Sequence, residues 1–195
     1  LKNDQKIWED SRNGDKAALS RIYFEHFHSM YQYGIKFNGD AEFIKDCIQE
    51  VFFRLIRSGS KLGPTDNIRF YLFRALKNEI FKESERKRKL ESAMDASHEF
   101  RLSFLAEEQS IETEVELQKE NALVQALGTL SPRQREIIYL KYECEMNYRQ
   151  ICEIMDLKSD SARKLVFRAV QSLKEIIEEK SVVLFLFSLF RKNVF

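Results

Sequence analysis

Arg163, Lys164 and Phe167, with Asp160 and Gln171, fall on one side of a helical segment near the end of this 195-residue chain, and Arg168 stands at the margin. The other side carries Ala162, Leu165, Val166, Ala169 and Leu173, an apolar stripe at helical spacing that must face a core. Residues 158–174 hold five cations against one acid, net +4, which suits a helix laid in a major groove against phosphates. Lys158, Ser159 and Ser161 open that segment and join the candidate DNA contacts. Phe167 among the cations is out of place on a face that only meets water.

The elements ahead of this helix position it. In Leu130-Ser131-Pro132-Arg133-Gln134, Ser131 can cap a helix whose first residue is Pro132, where a missing N–H is harmless, and Gln134 completes a capping box. Asn147 and Gln150 repeat the device for a second helix, whose apolar side is Ile151, Ile154 and Met155. Asp156 ends that helix at a position where the left-handed conformation is needed, which Asp tolerates. Two capped helices, a tight break and a basic helix make a helix-turn-helix. An ordinary amphipathic surface helix would explain the periodicity but not the start signals.

The net charge of +1 conceals a segregation. Residues 69–90 carry eight cations and three glutamates, net +5, whereas residues 91–121 carry nine acids and two cations, net −7. Two basic surfaces flanking an acidic connector point to a polyanion partner at both ends. With two prolines, six glycines and helical periodicity throughout, the fold class is all-α. The odd set Cys47, Cys144 and Cys152, on apolar helix faces, indicates reduced thiols in a cytosol. His26 and His28 are an isolated pair, so no metal site is expected, and no cofactor or small-molecule substrate. No phosphate loop or nucleophile constellation marks an enzyme. The polar start shows no signal peptide, and no run of roughly 20 apolar residues could span a membrane.

In the front half, residues from about 4 to 37 read as two helices divided near Gly14 and Asp15, with Ala18, Leu19, Ile22, Tyr23 and Phe27 as an apolar stripe. A third helix at about 40–57 turns Ile44, Cys47, Ile48, Val51, Phe52 and Leu55 inward and presents Asp46, Gln49, Glu50 and Phe53 outward, a docking surface. After Gly59, Gly63 and Pro64, Asp66 or Asn67 can cap a long fourth helix reaching about Leu90. Its inner arc is Ile68, Leu72, Phe73, Ala75, Leu76 and Ile80. Its second arc mixes Phe70, Tyr71 and Phe81 with Arg74, Lys77 and Asn78, a set suited to an unstacked strand.

This order of parts resembles the bacterial extracytoplasmic-function sigma factors of RNA polymerase, from about Gly14 to Leu173. Gly14-Asp15-x-Ala17-Ala18-Leu19-x-x-Ile22-Tyr23 is similar to the family's opening helix, and Asp46-x-x-Gln49-Glu50-Val51-Phe52 to the helix that holds the polymerase clamp. Tyr71-Leu72-x-Arg74-x-x-x-Asn78 is similar to the helix that opens and reads the minus-ten element, and residues 130–173 resemble the domain that reads the minus-thirty-five element. The resemblance implies that Asp46, Gln49, Glu50 and Phe53 bind the clamp helices of polymerase core. It implies that Leu62, Tyr71, Arg74, Lys77 and Asn78 meet the melted minus-ten strand, Asn78 helping to capture a flipped base. Lys158, Ser159, Ser161, Arg163, Lys164, Phe167 and Arg168 then meet the upstream promoter DNA. Lys82 and Glu85 stand where the family often has Asp and, a little further on, Arg, and Leu62 replaces a frequent aromatic. The run Ala162-Arg163-Lys164-Leu165-Val166 is similar in style to sigma factors of Bacteroidetes, which implies an anti-sigma partner anchored in the membrane.

The implied layout is region 2 at 1–90, an acidic linker at 91–121 too polar to build a core, region 4 at 122–180 and an apolar tail at 181–195, all in a cytoplasmic protein. In that tail, only Ser188 is polar between Val182 and Phe190, so it either covers apolar surface, or holds the free protein closed or meets an anti-sigma partner. Two rivals remain. A plain helix-turn-helix regulator leaves the faces of Asp46 and Asn78 without work. A sigma mimic that sequesters an anti-sigma factor has no use for the basic face of Arg163 and Lys164.

Overall fold

The computed structural model describes residues 2–91, 100–101 and 125–175, and every regular element among them is helical. Two compact units divide the chain, Leu1–His98 and Glu99–Phe195. Most of the 91–121 linker and the whole apolar tail lie outside the described residues.

The first unit holds α1 (Lys2–Arg12), α2 (Lys16–Gly34), α3 (Ala41–Ser58), a 3-10 turn (Gly59–Lys61) and α4 (Ile68–Glu91). Its helices begin where short polar side chains can satisfy free N–H groups. Asp15 accepts from the backbone N–H of Ala17 at 2.7 Å and of Ala18 at 3.2 Å. Asp40 does the same for Glu42 and Phe43, and Asn67 rather than Asp66 accepts from Phe70 at 2.8 Å. Ile22, Met30 and Tyr33 of α2, Ile44 and Ile48 of α3, and Leu72, Phe73, Leu76 and Ile80 of α4 are fully buried. The Tyr33 and Phe73 rings stack at 4.6 Å. Gly34 lets α2 approach its neighbours, since a Cβ there would stand 2.7 Å from Ile44 Cγ2 and 3.5 Å from Ile80 Cδ1. In the stripe expected on α2, Ala18 and Ile22 are buried while Leu19, Tyr23 and Phe27 are half-buried.

Two titratable groups report the burial. Cys47 is a free thiol pushed up to about 12, mainly by desolvation and then by Glu79, Glu83 and Asp46, so it stays protonated and unreactive. Half-buried His26 is held below its ordinary 6.5 by desolvation, with Arg69 in the same direction and Asp4 and Glu25 opposing. Folding therefore favours the neutral ring. Its contribution to stability is present above pH 6.5 and is lost as pH falls through the lowered folded value. His26→Gln should flatten the acid side of the stability profile below pH 6.5, measured by urea unfolding; an unchanged slope would contradict this role.

The second unit contains a helical stretch at 125–129, α5 (Pro132–Ile138), a π-helical turn (Tyr139–Glu143), α6 (Tyr148–Met155) and α7 (Ser159–Lys174). Both capping boxes are complete. Gln134 N–H donates to Ser131 Oγ at 3.3 Å while Ser131 N–H donates to Gln134 Oε1 at 2.8 Å. The Asn147 and Gln150 pair makes both of its bonds at 3.0 Å. Asp156 takes the left-handed conformation, φ 50° and ψ 61°, as expected. Arginines then close helix ends: Arg135 donates to the carbonyls of Leu127 and Gly128, and Arg133 to that of Met155 at 3.2 Å. Leu130, Ile137, Leu140, Ile151, Ala162, Ala169 and Leu173 are buried together with Phe100, whose ring lies 5.7 Å from Tyr139. Phe100 belongs to the acidic segment, and this residue of it is buried beside Tyr139.

Candidate polymerase and nucleic-acid interfaces

The outward face of α3 is as the spacing implied. Asp46 and Gln49 are exposed, the Glu50 side chain is 37% exposed, and Phe53 is 54% exposed. Glu50 Oε1 pairs with Arg57 Nη2 at 2.9 Å, a solvent-facing contact. Ile56, 58% exposed, adds an apolar side chain that the sequence reading missed, although its spacing from Gln49 and Phe53 places it on the same face. An apolar pair beside carboxylates and an amide is complementary to a surface that carries both cations and apolar side chains.

On α4, Arg74 and Asn78 are exposed and Leu62 in the preceding loop is half-buried. The aromatic members of the second arc are half-buried and make packing contacts. Tyr71 packs its ring 4.7 Å from Trp8, and burial raises its hydroxyl pKa. Phe81 meets Phe37 edge to face at 5.8 Å, and the Lys77 ammonium lies over the rings of Phe37 and Phe81 at 5.5 and 5.8 Å. These rings take part in packing because α1, α2 and α3 surround α4, so its buried surface is wider than a single stripe, while Tyr71 and Phe81 keep part of their surface exposed. Further along, Lys82 and Glu85 are engaged within the helix. Lys82 Nζ pairs with buried Glu79 at 3.1 Å, and Glu85 takes Arg88 at 2.8 Å.

Arg54 of α3 also reaches Glu79, at 2.7 Å. Glu79 is 1% exposed and adjoins Asn78 in sequence, so the ion pair fixes the register of α4 against α3. Sequence reasoning missed this group because Glu79 looks like one more surface charge. The same holds for α1: Trp8 Nε1 donates to the Gly63 carbonyl at 2.9 Å and Arg12 Nη2 to that of Ser60 at 3.1 Å.

On α7, Lys158, Ser159, Ser161, Arg163, Lys164 and Arg168 are exposed, and Phe167 is 64% exposed. Ala162, Val166, Ala169 and Leu173 are buried and Leu165 is half-buried, so the helix divides as its periodicity requires. Lys158 is the N-cap residue and makes no side-chain cap bond. The Arg163 guanidinium lies 5.6 Å from the centre of the Tyr148 ring, and the Lys141 ammonium lies 5.0 Å from that same ring. Tyr148, at the start of a capped helix, thus holds two cations at the helix-turn-helix surface.

The Sigma-70, region 4 family model matches residues 120–173. The ECF RNA polymerase sigma factor SigL of Mycobacterium tuberculosis is 28% identical over 172 residues, 86% of this chain and 93% of its own length. SigM of Bacillus subtilis, another ECF RNA polymerase sigma factor, is 28% identical over 164 residues, 82% of this chain and 94% of its own. Among solved structures, CnrH in complex with the cytosolic domain of CnrY matches with a TM-score of 0.57 at 17% identity, covering 89% of this chain and 96% of that one. The sigma factor RpoE of Bartonella quintana, in complex with the anti-sigma factor NepR, gives the same score and identity over 82% and 96%. These two likenesses bear on the fold. The region 4 match falls on the helix-turn-helix itself, and SigL and SigM align along nearly their whole length, so this chain is similar to extracytoplasmic-function sigma factors over most of its length, and these matches support a sigma factor for transcription initiation.

Proposed function

We propose that the chain binds polymerase core through Asp46, Gln49, Glu50, Phe53 and Ile56 of α3. In this reading the melted minus-ten strand lies on Leu62, Tyr71, Arg74, Lys77 and Asn78. The minus-thirty-five element is met by α7 through Lys158, Ser159, Ser161, Arg163, Lys164, Phe167 and Arg168. The observation that carries it is the division of α7, whose buried side completes a core while five basic or aromatic side chains, Lys158, Arg163, Lys164, Phe167 and Arg168, stay exposed on one element. The protein acts by binding and needs no cofactor. It works in the cytoplasm, where an anti-sigma factor restrains it as NepR is found with RpoE.

Run-off transcription with purified core on a genomic promoter pool tests the reading. Specific transcripts that depend on this chain are expected, and Arg163→Ala or Lys164→Ala should reduce them. A lost phosphate contact flattens the salt dependence of promoter binding by about one unit, whereas a lost base contact relaxes one position. Promoter binding without transcripts would instead favour a plain regulator. Neither binding nor transcripts would favour a sigma mimic.

A further inference from the structure

The loop between α3 and α4 is a poor candidate for a fixed structure by its own means. Ser60, Lys61, Gly63, Pro64 and Asp66 are exposed, and Gly59 sits at φ +44°. Its internal bonds are short-range, such as Leu62 N–H to the Gly59 carbonyl at 3.1 Å and Asn67 N–H to Thr65 Oγ1 at 3.2 Å. Two side chains from far away in sequence hold it from outside. Arg12 takes the Ser60 carbonyl and Trp8 the Gly63 carbonyl, so the tethered groups bracket Leu62. Trp8 is 1% exposed and therefore cannot swing away with the loop. Its ring also packs on Tyr71 at 4.7 Å, so one indole touches both the loop and the first turn of α4.

We propose that α1 is part of the strand-reading site, with Trp8 and Arg12 as positioning residues that hold the backbone on either side of Leu62 for a captured base. The inference rests on the role proposed above for Leu62 and Asn78. A loop held in its binding conformation loses less freedom when a base enters, and discriminates more sharply between bases, than one that must be ordered by the base itself. Each tether is a hydrogen bond, whose net loss corresponds to about a two- to tenfold change in an equilibrium.

The test uses holoenzyme assembled with polymerase core and fork DNA bearing the minus-ten element of a promoter found by run-off transcription, with each base of the exposed strand varied in turn. Trp8→Phe keeps a buried ring against Tyr71 and removes the N–H; Arg12→Gln removes the guanidinium at an exposed bond and keeps the test decisive if Trp8→Phe unfolds. Each is expected to lower base preference at one position about two- to tenfold, with core affinity unchanged. A purely structural role would lower the melting temperature and leave base preference intact, which overturns the inference. So does unchanged preference in both variants while Leu62→Gly or Asn78→Ala lowers it. If Leu62→Gly and Asn78→Ala are silent as well, the strand-reading assignment itself fails and the inference falls with it.

Discussion

Replacing Asp46 and Glu50 together with alanine is expected to remove binding to polymerase core while leaving the first unit folded. Asp46 is exposed, and Glu50 makes a solvent-facing pair with Arg57 at 2.9 Å. Exposed pairs of this kind contribute at most about 1 kcal/mol to folding, so helical content and melting should change little. At an interface the same groups matter far more. Truncating a charged group that becomes buried in a complex costs about 2–5 kcal/mol, or roughly thirtyfold to a few thousandfold in affinity for each residue. Titration of fluorescent core with the double variant measures this directly, with Phe53→Ala and Ile56→Ala as the apolar comparison. Wild-type affinity in the double variant would remove α3 from the interface.

Arg54→Ala is expected to destabilise the first unit by more than its half-exposed position suggests. Its partner Glu79 is 1% exposed, and among the described residues the substitution leaves that carboxylate paired with Lys82, at 3.1 Å. An orphaned buried charge typically costs about 3–5 kcal/mol; Lys82 and water entering the vacated space reduce the expected loss to about 2–3 kcal/mol. For a unit of this size that is a fall of about 10–20 °C in melting temperature. The cause is testable by a double variant. Glu79→Gln removes the charge at nearly constant volume, so Arg54→Ala with Glu79→Gln should melt higher than Arg54→Ala alone. A double variant that melts lower would show that Arg54 acts through packing and not through charge.

What was legible in the sequence was what is decided locally. Ser131 with Gln134, Asn147 with Gln150, and Asp156 each act on backbone within four residues, so the helix-turn-helix could be located before any tertiary contact was known. The division of α7 follows in the same way from spacing along one element. The Glu79 and Lys82 pair was legible in principle, as an i, i+3 spacing, but the burial that gives it weight depends on where α3 packs. Trp8 and Gly63 are 55 residues apart, and no periodicity announces a bond between an indole and a loop carbonyl. The same blindness affected Tyr71 and Phe81. Their positions on a second arc were read correctly, but the neighbours supplied by α1 and α2 could not be.

Each unit completes a core from its own residues, Leu1–His98 and Glu99–Phe195, and this has a consequence during synthesis. Helical domains built from mostly near-sequence contacts fold in microseconds to milliseconds. Ribosomes add about 5–20 residues per second, so the 97 residues that follow His98 take roughly 5–20 s to make. The N-terminal unit can thus be folded for seconds before the helix-turn-helix exists. During that interval a nascent chain already displays α3, so on the proposed assignment a truncated product would compete for core while unable to recognise an upstream element. Rapid clearance of incomplete chains therefore matters more for this protein than for one whose domains mature together.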